Sequence, residues 1–557
     1  MRRLIATAAA AVLLVGPALF AASGAPGGPG CRSADWPMYG HDLRHTFAAP
    51  AGCSRITTGN VATLLPAWFF HTKDSMTASP AVSHGMVYDG SWDGTFYAVD
   101  AQTGQLRWKF HITTTSPAAF GRIESSPAVV TAGSGADRRR VVIFGGGSRV
   151  WVLDALTGQE LASIELDPRR PAARRAALAN PRVVELESSP AVVPARHRSD
   201  RIYIGMDVHD EAHVGRTGLV ALHLVPGRHW SLRPVWKYDV ETNRVYRGRR
   251  GLTHGSGQGL GCGGVWSSPA VDVRRGLVYF GTASCDYAAQ EKAAHETYVP
   301  QMVALHTSSG KPAWRFSPTR LLPESQRVAN ASTDADFGAS PNLFKLPDGQ
   351  LAVGEGNKDA KYYVRTAAHG RAVSTTVAGQ AGLLNPNFAV GGFLGTTAVQ
   401  SGPDGTADRI IGGTAIPIPH SLADLNKTTW FIRAIDPQRG TVDWVDRLAV
   451  PTYGASSVVN GVVFVPLTLA SSVLALDAAT GATLWIGPVI GPPSSTAVVA
   501  GDSVYIGTGT RETDLEYKAV SDTLQNLLKN TLGESPLSPI SGIQAFRLAR
   551  DVVTGSR

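Results

Sequence analysis

The chain has 557 residues, of which 60 are glycine, 35 proline and only 17% charged. That length exceeds an ordinary single core, and the turn-rich composition fits neither disorder nor a coiled coil, so internal repeats are sought first. The net charge of +8 is modest, and the densest basic run, PRRPAARRAALANPR from Pro168 to Arg182, lacks interleaved aromatics; nucleic acid is not an expected partner, and the run reads as a solvated surface helix or a dock for an acidic protein.

In chain order, Arg2 and Arg3 precede the apolar run LIATAAAAVLLVGPALFAA and then small residues. This is the layout of a secretory signal over residues 1–25, with the mature chain over 26–557, and no later stretch is apolar and long enough to span a membrane. Export accounts for an even set of four cysteines, read as Cys31–Cys53 and Cys262–Cys285. Their spacing matches neither CxxC nor CxxCH, so a thiolate zinc site and a covalently attached haem are not expected.

The phrase AVDAQTGQLRW (Ala98 to Trp108) returns as ALDAATGATLW (Ala475 to Trp485), with weaker copies around Gly158, Gly227, Gly310, Gly370 and Gly440. The copies recur roughly every 63 residues, the size of a supersecondary unit with insertions. Upstream of most copies stands a second element, such as TASPAVSHGMVYDG, ESSPAVV and WSSPAVDVRRGLVYFG. It alternates small and apolar residues, turns, and resumes with β-branched and aromatic residues, so each unit reads as four short antiparallel strands.

The repeated phrase fills the turn before the fourth strand. Asp100, Asp154, Asp436 and Asp477 are expected to accept turn N–H groups, the threonines to add a second bond, and the glycines to supply positive φ. Trp108, Trp236, Trp314, Trp444 and Trp485 then plug the wedge between neighbouring sheets. Radial repetition of such sheets is an all-β, eight-bladed β-propeller of four-stranded antiparallel blades. LLPAWFFHT, carrying Trp68, is expected to close the last blade as an N-terminal outer strand. KAVSDTLQNLLKNTL has leucines at helical spacing and reads as an insertion helix on the rim, or as a docking helix.

An eight-bladed ring of AxDxxTGxxxW turns resembles the PQQ-dependent (quinoprotein) alcohol dehydrogenases. DWPMYGHDLRHT and DADFGASP resemble in particular the polyvinyl-alcohol-dehydrogenase-like branch. The resemblance places Trp266, in GGVWSSPAV, beneath a flat quinone; an inter-blade wedge is its other reading. It places Asp334 at the catalytic carboxylate and Asp336 where some members add a metal ligand, with a turn-capping role as the alternative. Alternation along a strand would put both on one face.

GEGNKDAKYYV resembles the stretch whose basic residue bonds the quinone oxygens, which nominates Lys358 beside Asn357. For the metal, a Ca2+ or a lanthanide, the resemblance gives Glu211, with Asp210 as its rival, and Ser284 in place of the family's asparagine. Glu124 and Glu187 stand at the starts of innermost strands, where they orient cofactor or substrate, or bind water in the channel. HDEAH lacks the glutamate directly after the first histidine of a zinc helix, and GSGQGLGCGG precedes no helix, so neither carries a function.

The resemblance implies oxidation of an alcohol, secondary or polymeric, to a carbonyl. PQQ and a cation would act as cofactors, Asp334 as the base, and a separate acceptor such as a cytochrome c would take the electrons. The alternative is an exported propeller that binds no quinone and serves as a binding or assembly scaffold.

Overall fold

The structure is a computed structural model that describes residues 31, 33–113, 121–167, 183–194, 200–209, 217–253, 262–284, 300–318, 335–379, 392–414, 430–468, 470–509 and 540–549. The expected signal, the basic run 168–182 and the expected rim helix at 518–532 lie outside the described residues. No helix among the described residues is long and apolar enough to cross a membrane.

The described strands form eight antiparallel sheets, the blades of a propeller. Blade 1 comprises Ala81–Ser83, Met86–Gly90, Thr95–Asp100 and Leu106–His111. Six further blades follow in order, their innermost strands starting at Ala128, Ala191, Ala270, Asn342, Ala398 and Ser457. Blade 8 pairs Val498–Ala500, Ser503–Thr508 and Ser541–Leu548 with the N-terminal strand Leu64–Thr72, so the ring closes as expected. Blade 3 is broader, with Arg244–Arg247 added outside its fourth strand.

The repeated phrase performs as a fastener between blades. In blade 1, Asp100 Oδ1 accepts from the backbone of Gln102 and Thr103 and from the Thr103 hydroxyl at 2.8–3.0 Å. The glycine is required twice over. Gly158 sits at φ +74°, and a Cβ there would stand 2.5 Å from the Trp108 ring of the preceding blade. The indole lies flat on that turn, and its N–H donates to Ala155 O at 3.1 Å.

The same contact recurs from Trp68 to Ala101 O, Trp236 to Thr307 O, Trp314 to Ala367 O and Trp444 to Ala478 O, at 2.9–3.1 Å. Three joints depart from it. Blade 2 has Ala162 at the tryptophan position, and blade 5 has Ser374, whose hydroxyl donates to the equivalent carbonyl of Pro437 at 2.7 Å. Trp485, expected to fasten blade 8, has no glycine turn to cover and meets Phe546 edge-on at 5.2 Å instead.

The SSPAV element has its own role at the hub. Its second hydroxyl accepts a backbone N–H from the preceding blade: Ser79 N to Ser126, Ser126 N to Ser189, Ser189 N to Ser268, Ser268 N to Ser340 and Ser340 N to Thr396, at 2.8–3.0 Å. Thr496 N continues the belt to Ser79 at 3.3 Å. Blade 7 interrupts it with Ala455.

The segment Asp35–Thr46, quoted above as a family signature, threads this hub. It offers backbone carbonyls to the innermost strands of blades 1, 2, 4, 5 and 6: Trp36 to Val82, Pro37 to Val129, Leu43 to Val271, Arg44 to Leu343 and Thr46 to Val399, at 2.7–2.9 Å. Free inner edges are thereby paired. Asp42 shapes the turn by accepting from Arg44 N and from the Thr46 hydroxyl. Trp36 and Phe47 are fully buried at its ends. The Cys31–Cys53 disulfide brackets the segment; Cys262 is also disulfide-bonded, and Cys285 lies outside the described residues.

Candidate active site

Each blade delivers residues to the hub from two places, the connection entering its innermost strand and the loop leaving its second strand. On blades 4 and 5 these segments meet. Trp266 enters the strand Ala270–Asp272, and Ser284 follows the strand Leu277–Gly281. Asp336 precedes the strand Asn342–Lys345, and Asn357 and Lys358 follow Leu351–Gly356.

Five residues picked from separated stretches of sequence therefore form one cluster. Lys358 Nζ is 2.9 Å from Asp336 Oδ2, with the side chains only 12% and 5% exposed. Asp336 Oδ1 accepts from Ser284 N, so both carboxylate oxygens are engaged. The same ammonium lies 5.3 Å from the centroid of the Trp266 ring. Gly338 lies against the edge of that indole, where a Cβ would approach Cη2 to 2.7 Å. Asn357 is spent within its own loop: Nδ2 donates to Ala335 O, and Oδ1 accepts from Asp359 N.

The segment carrying Asp336 is not a strand, contrary to the alternation read from the sequence; it is the connection that enters the blade. Its geometry is set by Asp336 O accepting from Lys358 N at 2.9 Å. Asp334, Glu211 and Asp210 lie outside the described residues. Among the described residues no group of three or more His, Cys, Asp or Glu side chains converges as a metal cluster.

Trp266 also lines a hub cavity of about 170 Å3, together with Glu124, Glu187 and the belt residues Ser79, Ser126, Ser189, Ser268, Ser340 and Thr496. Both glutamates thus reach the central channel, as their place before SSPAVV implies. Tyr39, from the threaded segment, forms part of the lining and meets the Thr396 hydroxyl at 2.9 Å. Burial raises the Tyr39 phenol above its usual range.

Sequence reasoning missed Tyr39 as a cavity residue, and it missed Glu355. Glu355 is fully buried, neither carboxylate oxygen has a hydrogen-bond partner among the described residues, and burial holds its pKa well above the usual carboxylate range. A Cβ added at Gly281 would meet Glu355 Oε1 and Phe337, so the acid is wedged beneath the two segments that carry Ser284 and Asp336. Equivalent positions in other blades hold Phe144, Ile204, Phe280, Val465 and Ile506, with a second buried acid, Asp89, in blade 1. An acid where its counterparts are mostly apolar was the available signal.

Comparison with known proteins places this geometry. Residues 36–378 match the family model described as PQQ, the β-propeller domain of glucose, ethanol and alcohol dehydrogenases. A polyvinylalcohol dehydrogenase of a Pseudomonas species is 24% identical over 325 residues, covering 55% of this chain and 46% of that protein. The dehydrogenase subunit of a quinone alcohol dehydrogenase from Gluconobacter oxydans (strain 621H) is 24% identical, over 52% of this chain and 38% of its own. This chain thus spans under half the length of these relatives. Among solved structures, the quinohemoprotein alcohol dehydrogenase ADHIIG of Pseudomonas putida HK5 shares the fold with a TM-score of 0.68 at 17% identity, covering 94% of this chain and 82% of that one. The family match extends from the threaded hub segment through blade 5, and so includes the Trp266, Asp336 and Lys358 cluster: the chain belongs to the PQQ β-propeller family of alcohol dehydrogenases.

Proposed function

We propose that this chain is the catalytic propeller of an exported, PQQ-dependent dehydrogenase that oxidises a secondary or polymeric alcohol and passes electrons to a separate acceptor such as a cytochrome c. The carrying observation is the indole of Trp266 on a hub cavity, with the Lys358 ammonium 5.3 Å from its centroid and 2.9 Å from Asp336. A flat aromatic floor beside a buried lysine fits a planar quinone bearing oxygens. A hard carboxylate and a neighbouring hydroxyl suit an oxygen-seeking cation, Ca2+ or a lanthanide.

Bound there, the quinone supplies two-electron oxidation, and the cation acts as a Lewis acid. The remaining work falls to this chain. Trp266 would fix the plane of the cofactor, and Lys358 would donate toward its oxygens. Asn357 holds the loop that aims the lysine. Asp336, Ser284 and Glu211 would be the residues to hold the cation. Asp334 takes the proton of the substrate hydroxyl. Glu124 and Glu187 orient substrate or cofactor from the cavity wall. Export is supported by the disulfide-bonded cysteines.

Purified protein supplied with PQQ and Ca2+ is expected to reduce an artificial dye with secondary alcohols, and Trp266→Ala to abolish it. Saturation at ~100 times Kd stabilises the fold by about 2.7 kcal/mol, visible as a thermal shift. No shift and no turnover across a broad alcohol panel would overturn the reading.

A further inference from the structure

The end of the ring opposite the cavity is formed by the turns between first and second and between third and fourth strands, and its charge is unevenly spread. On blades 2 to 4 it presents Arg138, Arg139, Arg228, Arg233, Arg274 and Lys311, all exposed, against the exposed acids Asp137 and Glu160. None of the six side chains has an ion-pair or hydrogen-bond partner among the described residues. The blade 2 and blade 3 turns abut, since a Cβ at Gly133 would stand 3.2 Å from Pro226. Elsewhere on this end the cations are mostly paired or offset by acids. Arg107 pairs with Asp100, Arg439 with Asp436 and Arg55 with Asp502, while blades 5 and 6 expose Asp348, Asp404 and Asp408 beside Lys345 and Arg371.

The basic sector also carries apolar tips. Leu156 is 80% exposed at the point of the blade 2 fastener turn, and Val273 is 58% exposed at a blade 4 turn. Nothing in the turn requires leucine there, because its counterparts are Gln102, Gln438 and Ala479. A partly buried Trp230 sits two residues from Arg228.

We propose that the turn end of blades 2 to 4 docks on an anionic lipid membrane, with Leu156 and Val273 entering the headgroup layer between arginines. Protein interfaces have a contiguous apolar centre with a polar rim. Separate aliphatic tips set among unpaired cations and an aromatic match a lipid interface instead. The near-balanced charge of blades 5 and 6 offers the surface no such attraction, and this fixes the tilt. The mouth of the hub cavity then faces away from the membrane. This placement holds whether or not the cavity oxidises an alcohol.

The test is cosedimentation of the full chain with phosphatidylcholine vesicles, with and without phosphatidylglycerol. Binding is expected only to the anionic vesicles and to weaken with salt. Each cation near such a surface is worth about a fivefold change in partitioning, so R228E/R233E/R274E is expected to lose at least ~100-fold. Leu156→Ser is expected to weaken the binding that survives at high salt, and Asp404→Asn to leave binding undiminished. An unchanged thermal melt shows that each variant is folded. Failure to bind anionic vesicles, or equal binding by the charge-reversed variant, overturns the proposal. So does retention on an acidic polypeptide without vesicle binding, which would assign the surface to a protein.

Discussion

Trp236 and His45 are both buried and both tie distant parts of the chain together, yet they do so by opposite means. Trp236, at the rim, lays a large apolar ring over the turn at Gly310 of the next blade and adds one N–H bond to Thr307 O at 3.0 Å. His45, at the hub, is a polar ring only 3% exposed, on a left-handed residue at φ 53°, with Nδ1 3.2 Å from Pro341 O. The rim is a set of nearest-neighbour joints, each repeatable and mainly apolar. The hub is a chain of polar contacts in which one segment meets most of the blades, so its residues answer to the whole ring at once.

The rim side of that contrast predicts the largest effect. Trp236→Ala removes a fully buried indole and exposes the turn of blade 4, at a cost of about 3–5 kcal/mol. Urea unfolding followed by tryptophan fluorescence and by circular dichroism measures it. Coincident transitions would show that loss of one joint unfolds the ring as a unit; separated transitions would show that blades 3 and 4 part first.

The hub predicts a pH dependence. Burial, opposed by the Asp42 carboxylate and the Pro341 carbonyl, lowers the His45 pKa to about 4. An unfolded histidine titrates near 6.5, so between about pH 6.5 and 4 the unfolded chain binds a proton that the folded chain refuses. Stability is therefore complete above that window and falls by about 3 kcal/mol as the pH drops through it. His45→Asn keeps a residue that tolerates positive φ and a donor for Pro341 O. Urea midpoints measured from about pH 7 to about pH 4.5 should then lose most of this slope. An unchanged slope would place the acid sensitivity elsewhere.

The same division explains what was legible in the sequence. A fastener is written within eleven consecutive residues, because Asp and Gly shape the turn they sit in and Trp recurs at a fixed offset from it; blade number, ring closure and the Cys31–Cys53 pair followed from such local patterns. The cluster of Trp266, Ser284, Asp336, Asn357 and Lys358 was reached through resemblance, since its members come from four loops that no periodicity links. The hydroxyl belt was visible as a repeated SSP but not as a belt, because each serine's partner lies in the next blade. Glu355 stayed hidden for a related reason: a glutamate between glycines reads as a turn, and only the packing of Gly281 and Phe337 around it reveals an enclosed acid. Strand alternation misled at Asp336, where the chain is a connection held by Lys358.

The smallest predicted effect tests whether indole area or the hydrogen bond holds the rim. At the joint between blades 5 and 6, Ser374 stands where other blades place tryptophan, and its hydroxyl reaches the same carbonyl position that the indoles reach, on Pro437. Ser374→Ala removes that bond and almost no area. The loss is about 1 kcal/mol, because the half-buried carbonyl regains water. If area dominates, the ratio of the Trp236→Ala and Ser374→Ala costs in matched urea titrations should be at least about threefold. Equal costs would mean that the shared carbonyl contact, present at the serine joint and the tryptophan joints alike, is what closes the ring, and that the indole is only one way of delivering it.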